Sequence, residues 1–178
     1  MLNAKVTFSA PVYITEDPEK VKDAVSNIVN FGKPKSEEIE MTVISGANPN
    51  KDSENSSDDG MNPFISDANM VKQTISAGGD LTLLSGIHYL IRKEEIIDTA
   101  NTALNNGMSD DGCSLIVLLN KQAAFMKHLS FPADIESLGS VALKIEAEKF
   151  DDLERIINWL TPPTQDGVPL YELKLSDL

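Results

Sequence analysis

A short stretch near the middle of the chain gathers side chains that could bind a polar or anionic partner. Residues 118–131 read LLNKQAAFMKHLSF and hold an amide pair, two lysines and a histidine: Asn120, Gln122, Lys121, Lys127 and His128. Lysine and amide side chains are common contacts to RNA backbones. Two interpretations are open: a contact surface for RNA or another partner, or a strand-turn-strand connection with solvated tips.

Other cations could extend such a surface. Arg92 and Lys93 are adjacent in the second helical region, and Lys33 and Lys35 follow the first helix. If these groups converge, they form a modest cationic patch; otherwise they are solvated lysines scattered over the surface. The candidate RNA-contact residues are Arg92, Lys93, Asn120, Lys121, Gln122 and Lys127.

The sequence gives little support for catalysis or for a bound cofactor. His88 lies three residues from Ser85, but the pair lacks a strained nucleophile turn and an identifiable orienting acid. One cysteine and two distant histidines do not make a zinc site. The stretch AGGDLTLLSG has neither dinucleotide-loop spacing nor a P-loop lysine. We therefore expect a protein that is not an enzyme, with no metal and no cofactor.

The charge balance limits the kind of partner. The net charge is −13 and the isoelectric point is about 4.4, which opposes non-specific attraction to phosphate or to anionic lipid. No DNA and no membrane partner is expected, and RNA binding would need a local basic face. The single Cys113, the lack of a signal pattern at the N-terminus and the lack of an apolar run long enough to span a bilayer predict a cytoplasmic protein.

Hydrophobic periodicity predicts the elements that must position these side chains. Strands are predicted at 4–14, 38–45, 70–76, 113–119, 127–131 and 140–148. Pro11 predicts that the first strand lies at an edge or bends there. The apolar run CSLIVLL predicts a central strand, with KHLSF as its hairpin partner.

Capping residues predict where the helices begin. Asp17 and Pro18 suit the start of a first helix that ends near Asn30 and Gly32. Residues 81–104 form one long helix or two with a break near Lys93, and a short helix follows Asp151 or Asp152. The predicted fold is α+β, a mainly antiparallel sheet with helices packed on one face. It forms a single domain, 1–178, with a flexible acidic insertion at about 46–69.

Five segments, in this order, resemble an uncharacterised archaeal protein family, number 0201. They are APVYITEDPEKVKDAVSNI, EEIIDTANTAL, LNKQAAFMKHLSF, LGSVALKIEAE and INWLTPPTQDGVPLYE. The resemblance implies membership of a group of proteins expected to bind RNA, with a fold like that of the L-five protein of the large ribosomal subunit. It supplies no catalytic residues.

One departure from that family lowers the expected affinity for RNA. Where relatives carry an arginine-rich helix segment, this chain has IRKEEI, so Glu94 and Glu95 reduce the local positive charge, and Asn101 stands where an arginine is common. Three hypotheses follow, in decreasing order of support. They are a non-catalytic protein associated with RNA or RNA processing, a protein-interaction or assembly module such as a homodimer, and a small-molecule enzyme with His88 or His128 in a pocket.

Overall fold

A computed structural model describes residues 2–34, 37–45, 71–132 and 136–178. The predicted acidic insertion at about 46–69 lies outside the described residues. Strands occupy Ala4–Tyr13 (β1), Thr42–Ser45 (β2), Val71–Gly79 (β3), Ser114–Asn120 (β4), Ser140–Ala147 (β5), Thr164–Gln165 (β6) and Val168–Pro169 (β7). Helices occupy Pro18–Val29 (α1), Ser85–Lys93 (α2), Ile97–Asn106 (α3), Lys121–Phe125 (α4) and Phe150–Leu160 (α5), with 3-10 turns at Leu81–Leu84 and Leu175–Asp177.

The main sheet has five antiparallel strands in the order β2-β3-β1-β5-β4. Its core face is formed by alternate residues of each strand, such as Val6 and Phe8 of β1 and Leu143 of β5. These side chains and the apolar stripes of the helices make one hydrophobic cluster. The predicted α+β fold with a mainly antiparallel sheet is confirmed.

Two helix starts are capped by aspartates, whereas α5 begins at Phe150, before the Asp151 and Asp152 that were predicted to precede it. The carboxylate of Asp17 accepts the backbone N–H of Glu19, and Pro18 occupies the first helical position of α1. Asp80 caps the 3-10 turn that leads into α2 by accepting from Thr82. The region 81–104 forms two helices, because the chain breaks at Glu94 and Glu95, where Glu95 has a φ of 55°.

The structure decides two predictions of strand position. β1 lies in the middle of the sheet and not at an edge, and its pairing with β3 shifts register between Val12 and Tyr13, close to Pro11. Its other neighbour, β5, pairs with it only as far as Ser9. The C=O of Pro11 accepts a hydrogen bond from Lys121. Because the N–H and C=O of one strand residue point the same way, the position of the missing N–H is on that same side. It lies beyond the residues that pair with β5, so no hydrogen bond of that pairing is lost. β4, predicted as a central strand, lies at the sheet edge, with Ile116 and Leu118 about half exposed on the face away from the core.

Among the described residues, no helix is both long enough and apolar enough to cross a bilayer.

Candidate functional site

The stretch 118–131 does not form the predicted hairpin, because β4 runs directly into helix α4. Asn120 starts the helix: its side-chain oxygen accepts the N–H of Ala123 at 2.7 Å, and its amide nitrogen donates to Glu136. Asparagine is a favoured N-cap, and KQAAF is composed mainly of good helix formers. The predicted KHLSF strand is wrong, since those residues form the turn and the loop after α4.

Lys127 occupies the position that ends α4. Its φ is 64°, and the N–H groups of Lys127 and His128 donate to Ala124 and Ala123, respectively. This pair of bonds is the Schellman helix ending, in which the left-handed residue is usually glycine. The turn holds the Lys127 side chain in an exposed position at the end of the helix.

Lys121 is buried, in contrast to the usual position of a lysine. Its ammonium group donates to Pro11 O at 2.7 Å, to Leu138 O at 2.6 Å and to the Glu16 carboxylate at 2.9 Å. These acceptors match the three N–H bonds that an ammonium group has. Burial lowers the pKa of Lys121, and its bond with Glu16 opposes that shift. The observed contacts of Lys121 therefore tie β1, α4 and the loop before β5 together.

Arg92 has a similar structural position at the end of α2. It donates to Leu160 O at 2.6 Å and to Trp159 O at 3.2 Å, which are terminal carbonyls of α5. It also forms a two-bond pair with Glu172, at 2.7 and 3.0 Å. This pair lowers the pKa of Glu172. The guanidinium group thus joins α2, the end of α5 and the C-terminal segment.

Three of the predicted contact residues, Lys93, Gln122 and Lys127, have exposed side chains. The Lys93 ammonium lies 5.1 Å from the centre of the Phe31 ring, and Phe31 stacks on the half-exposed Tyr89 with centroids 5.3 Å apart. Neither Lys93 nor Lys127 forms an ion pair with any described residue.

Contacts between helices bring these exposed groups onto one surface. Asn27 of α1 donates to Phe125 O at 2.9 Å and so fixes α4 against α1. His128 Nδ1 lies 3.0 Å from a carboxylate oxygen of Glu94, which connects the end of α4 to the end of α2 next to Lys93. We call the resulting region the α1–α4 surface; its residues are Lys20, Phe31, Tyr89, Lys93, Gln122, Phe125 and Lys127.

At one end of the α1–α4 surface lies a pocket of about 780 Å³. Lys20 and Val21 of α1 form one wall, and Gln122, Phe125 and Met126 form the other. The buried pair of Lys121 and Glu16 is part of the lining, together with Asn120 and the segment 136–139. Both members of that pair are held by the chain itself, which fixes the shape of the pocket.

Sequence reasoning did not identify Lys20, Phe31, Tyr89 or Phe125 as surface residues of interest. Lys20 and Asn27 are about two helical turns apart and therefore share a face of α1. Once Asn27 is known to contact α4, this spacing places Lys20 on the same side of α1. The position of Phe31 and Tyr89 beside Lys93 depends on how α1 packs against α2, where Gly86 approaches Ile28 O so closely that a Cβ would lie 1.9 Å from it.

Neither His88 nor His128 lines the pocket between α1 and α4. His88 stacks on Trp159 with centroids 4.6 Å apart, and its Nε2 is buried without a hydrogen-bond partner among the described residues. Burial, followed by the nearby Arg92 charge, lowers the pKa of His88. Within the described ranges no cluster of His, Cys, Asp and Glu has the arrangement of a metal site.

A second, smaller groove of about 600 Å³ lies between α3 and the edge strand β4. Thr102 and Asn106 line one side, and Ile116, Leu118 and Phe131 line the other. All of its lining residues are uncharged, which is unusual on a chain with a net charge of −13.

Comparisons with known proteins agree on one family. A family model described as RNA binding matches residues 5–148. The UPF0201 protein of Methanosarcina acetivorans is 35% identical over 177 residues, which cover 99% of this chain and 94% of that protein. The UPF0201 protein of Methanopyrus kandleri is 33% identical over 172 residues, 96% of this chain and 92% of that one.

A solved structure extends the agreement to the fold. The crystal structure of a UPF0201 protein from Methanococcus jannaschii superposes with a TM-score of 0.67 at 26% identity, covering 94% of this chain and 99% of that chain. The chain belongs to the UPF0201 family, which is archaeal in these relatives and carries an RNA-binding family model.

Proposed function

We propose that this protein binds RNA without catalysing a reaction, and that it does so in the cytoplasm through the α1–α4 surface. The observation that carries the proposal is that three exposed lysines, Lys20, Lys93 and Lys127, and the exposed rings of Tyr89 and Phe125 lie on or directly after α1, α2 and α4, where α1 contacts both other helices. Lysines neutralise phosphates, and aromatic rings stack on unpaired bases. The family description supports the same ligand.

The chain has a net charge of −13, so the acidic residues beside these lysines matter for the binding of an anion. Glu94, which the sequence places beside the basic residues, is occupied: its carboxylate accepts the N–H of Leu129 and contacts His128. The hydrogen bonds of the Glu94 carboxylate are therefore made to the loop after α4. The number of free lysines is small, so we expect weak binding at physiological salt with a modest salt dependence.

Of the six predicted contact residues, we assign the RNA contacts to Lys93, Gln122 and Lys127. Arg92, Asn120 and Lys121 position this surface, because their charged or amide groups already bind the chain itself.

The test is binding of a mixed RNA pool at about 50 mM and about 200 mM salt. The variant is Lys93→Glu with Lys127→Glu, and the matched control is Lys5→Glu with Lys149→Glu, which changes net charge equally. Lys5 and Lys149 are also exposed, but they lie at the opposite end of β1 from Pro11 and α4.

We expect the surface variant to bind more weakly, with a salt slope shallower by about 0.7 for each lost contact to single-stranded RNA. The control should bind nearly as the wild type does. Absence of binding by the wild type at the lower salt would refute the proposal, and equal loss in both variants would refute the assignment to this surface.

A second function, assembly with another copy, is favoured by the uncharged groove beside β4. Ile116 and Leu118 are 52% and 45% exposed there, and two chains of net charge −13 can approach most easily through uncharged surfaces. Sedimentation of the wild type and of Leu118→Lys would test it: a dimer that the substitution dissociates supports assembly, and a monomeric wild type rejects it.

A further inference from the structure

The pocket between α1 and α4 combines features that suit one flat, partly polar ring. Its volume of about 780 Å³ falls within the range of about 300–1,000 Å³ common for small-ligand sites. The Phe125 ring is 43% exposed and lines one wall. An exposed ring on a fixed helix is a surface on which a base can stack.

The polar groups of the pocket divide into occupied and available groups. Lys121 and Glu16 bind each other and the backbone. In contrast, the Gln122 side chain is exposed at the pocket and forms no hydrogen bond to any described residue. A carboxamide offers two donors and an acceptor, which can pair with the hydrogen-bonding edge of a base.

Two lysines flank the pocket at positions suited to a nucleic-acid backbone. Lys20 lines the α1 side, and Lys127 follows Met126 immediately after the α4 wall. A base held between these walls would have its neighbouring phosphates near the two ammonium groups. Apart from Lys20 and from Lys121, whose charge is paired with Glu16, the rest of the lining is acidic or neutral, with Asp17 and Glu136 in it, so a phosphate inside the pocket itself is disfavoured.

We propose that this pocket receives one unstacked base of a single-stranded RNA segment, stacked on Phe125 and hydrogen-bonded by Gln122, while Lys20 and Lys127 contact the flanking phosphates. The inference rests on the proposed RNA binding and adds the class of RNA: unpaired, because a base within a duplex is not available for stacking on a side chain.

The experiment compares Phe125→Ala, Phe125→Leu and Gln122→Ala with the wild type. The probes are a short single-stranded RNA of mixed sequence and the same RNA annealed to its complement. A 2-aminopurine base, moved through the single strand, reports on a base that leaves the stack. Tyr171→Ala is the matched control, because Tyr171 is a similarly exposed aromatic residue (46%) outside the pocket.

Loss of the ring should weaken binding of the single strand by about 5-fold to 150-fold, the range expected for one base stacked on an aromatic side chain. Phe125→Leu keeps an apolar residue on the exposed face and should also bind more weakly, so a folding defect in the alanine variant would not hide the effect. Gln122→Ala should give a smaller loss of affinity. The change in the 2-aminopurine signal on binding should be smaller for the pocket variants than for the wild type. Tyr171→Ala should behave as the wild type.

The outcomes separate this inference from the proposal on which it rests. If RNA binds, but the pocket variants bind it as the wild type does, or if the duplex binds as well as the single strand, the pocket inference is overturned and RNA binding stands. If the wild type binds neither probe at about 50 mM salt, both fail.

Discussion

Two regions of the molecule each contain a pair of nearby cations. In each pair the chain itself binds one cation and leaves the other exposed. In the α4 region Lys121 is buried and Lys127 is exposed. At the end of α2, Arg92 binds three groups of its own chain, whereas its neighbour Lys93 is exposed over the Phe31 ring. Residue type alone does not distinguish the two members of either pair. The difference lies in whether the fold places acceptors around the charge.

The cations that the chain itself binds therefore hold the surface that the exposed cations occupy. Lys121 joins α4 to β1, and Arg92 joins the end of α2 to α5. A substitution at a chain-bound cation should change stability, and one at an exposed cation should change binding with little effect on stability. The following predictions test that separation.

The largest effect is expected for Lys121→Met. The substitution leaves the Glu16 carboxylate, whose side chain is only 12% exposed, without its partner. Breaking a buried pair in this way costs about 3–5 kcal/mol. Urea denaturation should show the loss as a lower midpoint.

The matched variant, Lys121→Met with Glu16→Leu, removes both charges. It should recover much of the lost free energy of unfolding, since apolar replacement of a buried pair is often neutral or stabilising. A single substitution that leaves the midpoint unchanged would show that the hydrogen bonds of Lys121 are not important for stability, and the comparison would fail.

The burial of Lys121 also marks the limit of what the sequence predicted. Alternation and helical spacing predicted most strands and helices, because a strand or helix with one buried face shows its period along the chain. Asp17 and Pro18 predicted a helix start because capping involves residues only a few positions apart. These are local properties.

Strand order and the partners of individual charges are not local. The apolar run of β4 is compatible with a central or an edge strand, and only its place at the end of the strand order, beside β5, decides which. The acceptors of Lys121 lie on Pro11, Glu16 and Leu138, far away in sequence. For this reason the sequence identified the candidate site as a region but could not separate its structural from its exposed residues.

An intermediate effect is expected for Arg92→Met. The substitution removes the donors to Leu160 and Trp159 and breaks the pair with the partly exposed Glu172. Because a hydrogen bond to a charged group contributes about 1.5–3 kcal/mol and this site is partly screened, we expect a total loss of about 2 kcal/mol.

Lys93→Met is the matched control for Arg92→Met, because it makes the same change at the next residue. It removes only an exposed contact with the Phe31 ring, which is worth about 0.5–1 kcal/mol. Equal losses for the two variants, measured in the same urea titration, would contradict the division between a structural arginine and an exposed lysine.

The smallest effect on stability, and the sharpest test of the comparison, is expected for Lys127→Gly. Lys127 has a φ of 64° at a helix ending where glycine is the usual residue. A side chain in the left-handed region costs about 1 kcal/mol, so glycine should raise the free energy of unfolding by up to about that amount, less its greater entropy loss on folding. RNA affinity should fall, because the charge at the edge of the pocket is lost.

Stability and binding would then change in opposite directions, which a general folding defect cannot produce. Lys127→Asn supplies the control, because asparagine also tolerates left-handed backbone and lacks the charge; it should lose affinity similarly. If Lys127→Gly is more stable and binds RNA as the wild type does, the exposed lysine is not a contact. A strained lysine that improves neither stability nor binding would then have no physical role in this surface, and the exposed half of the comparison would rest on Lys93 alone.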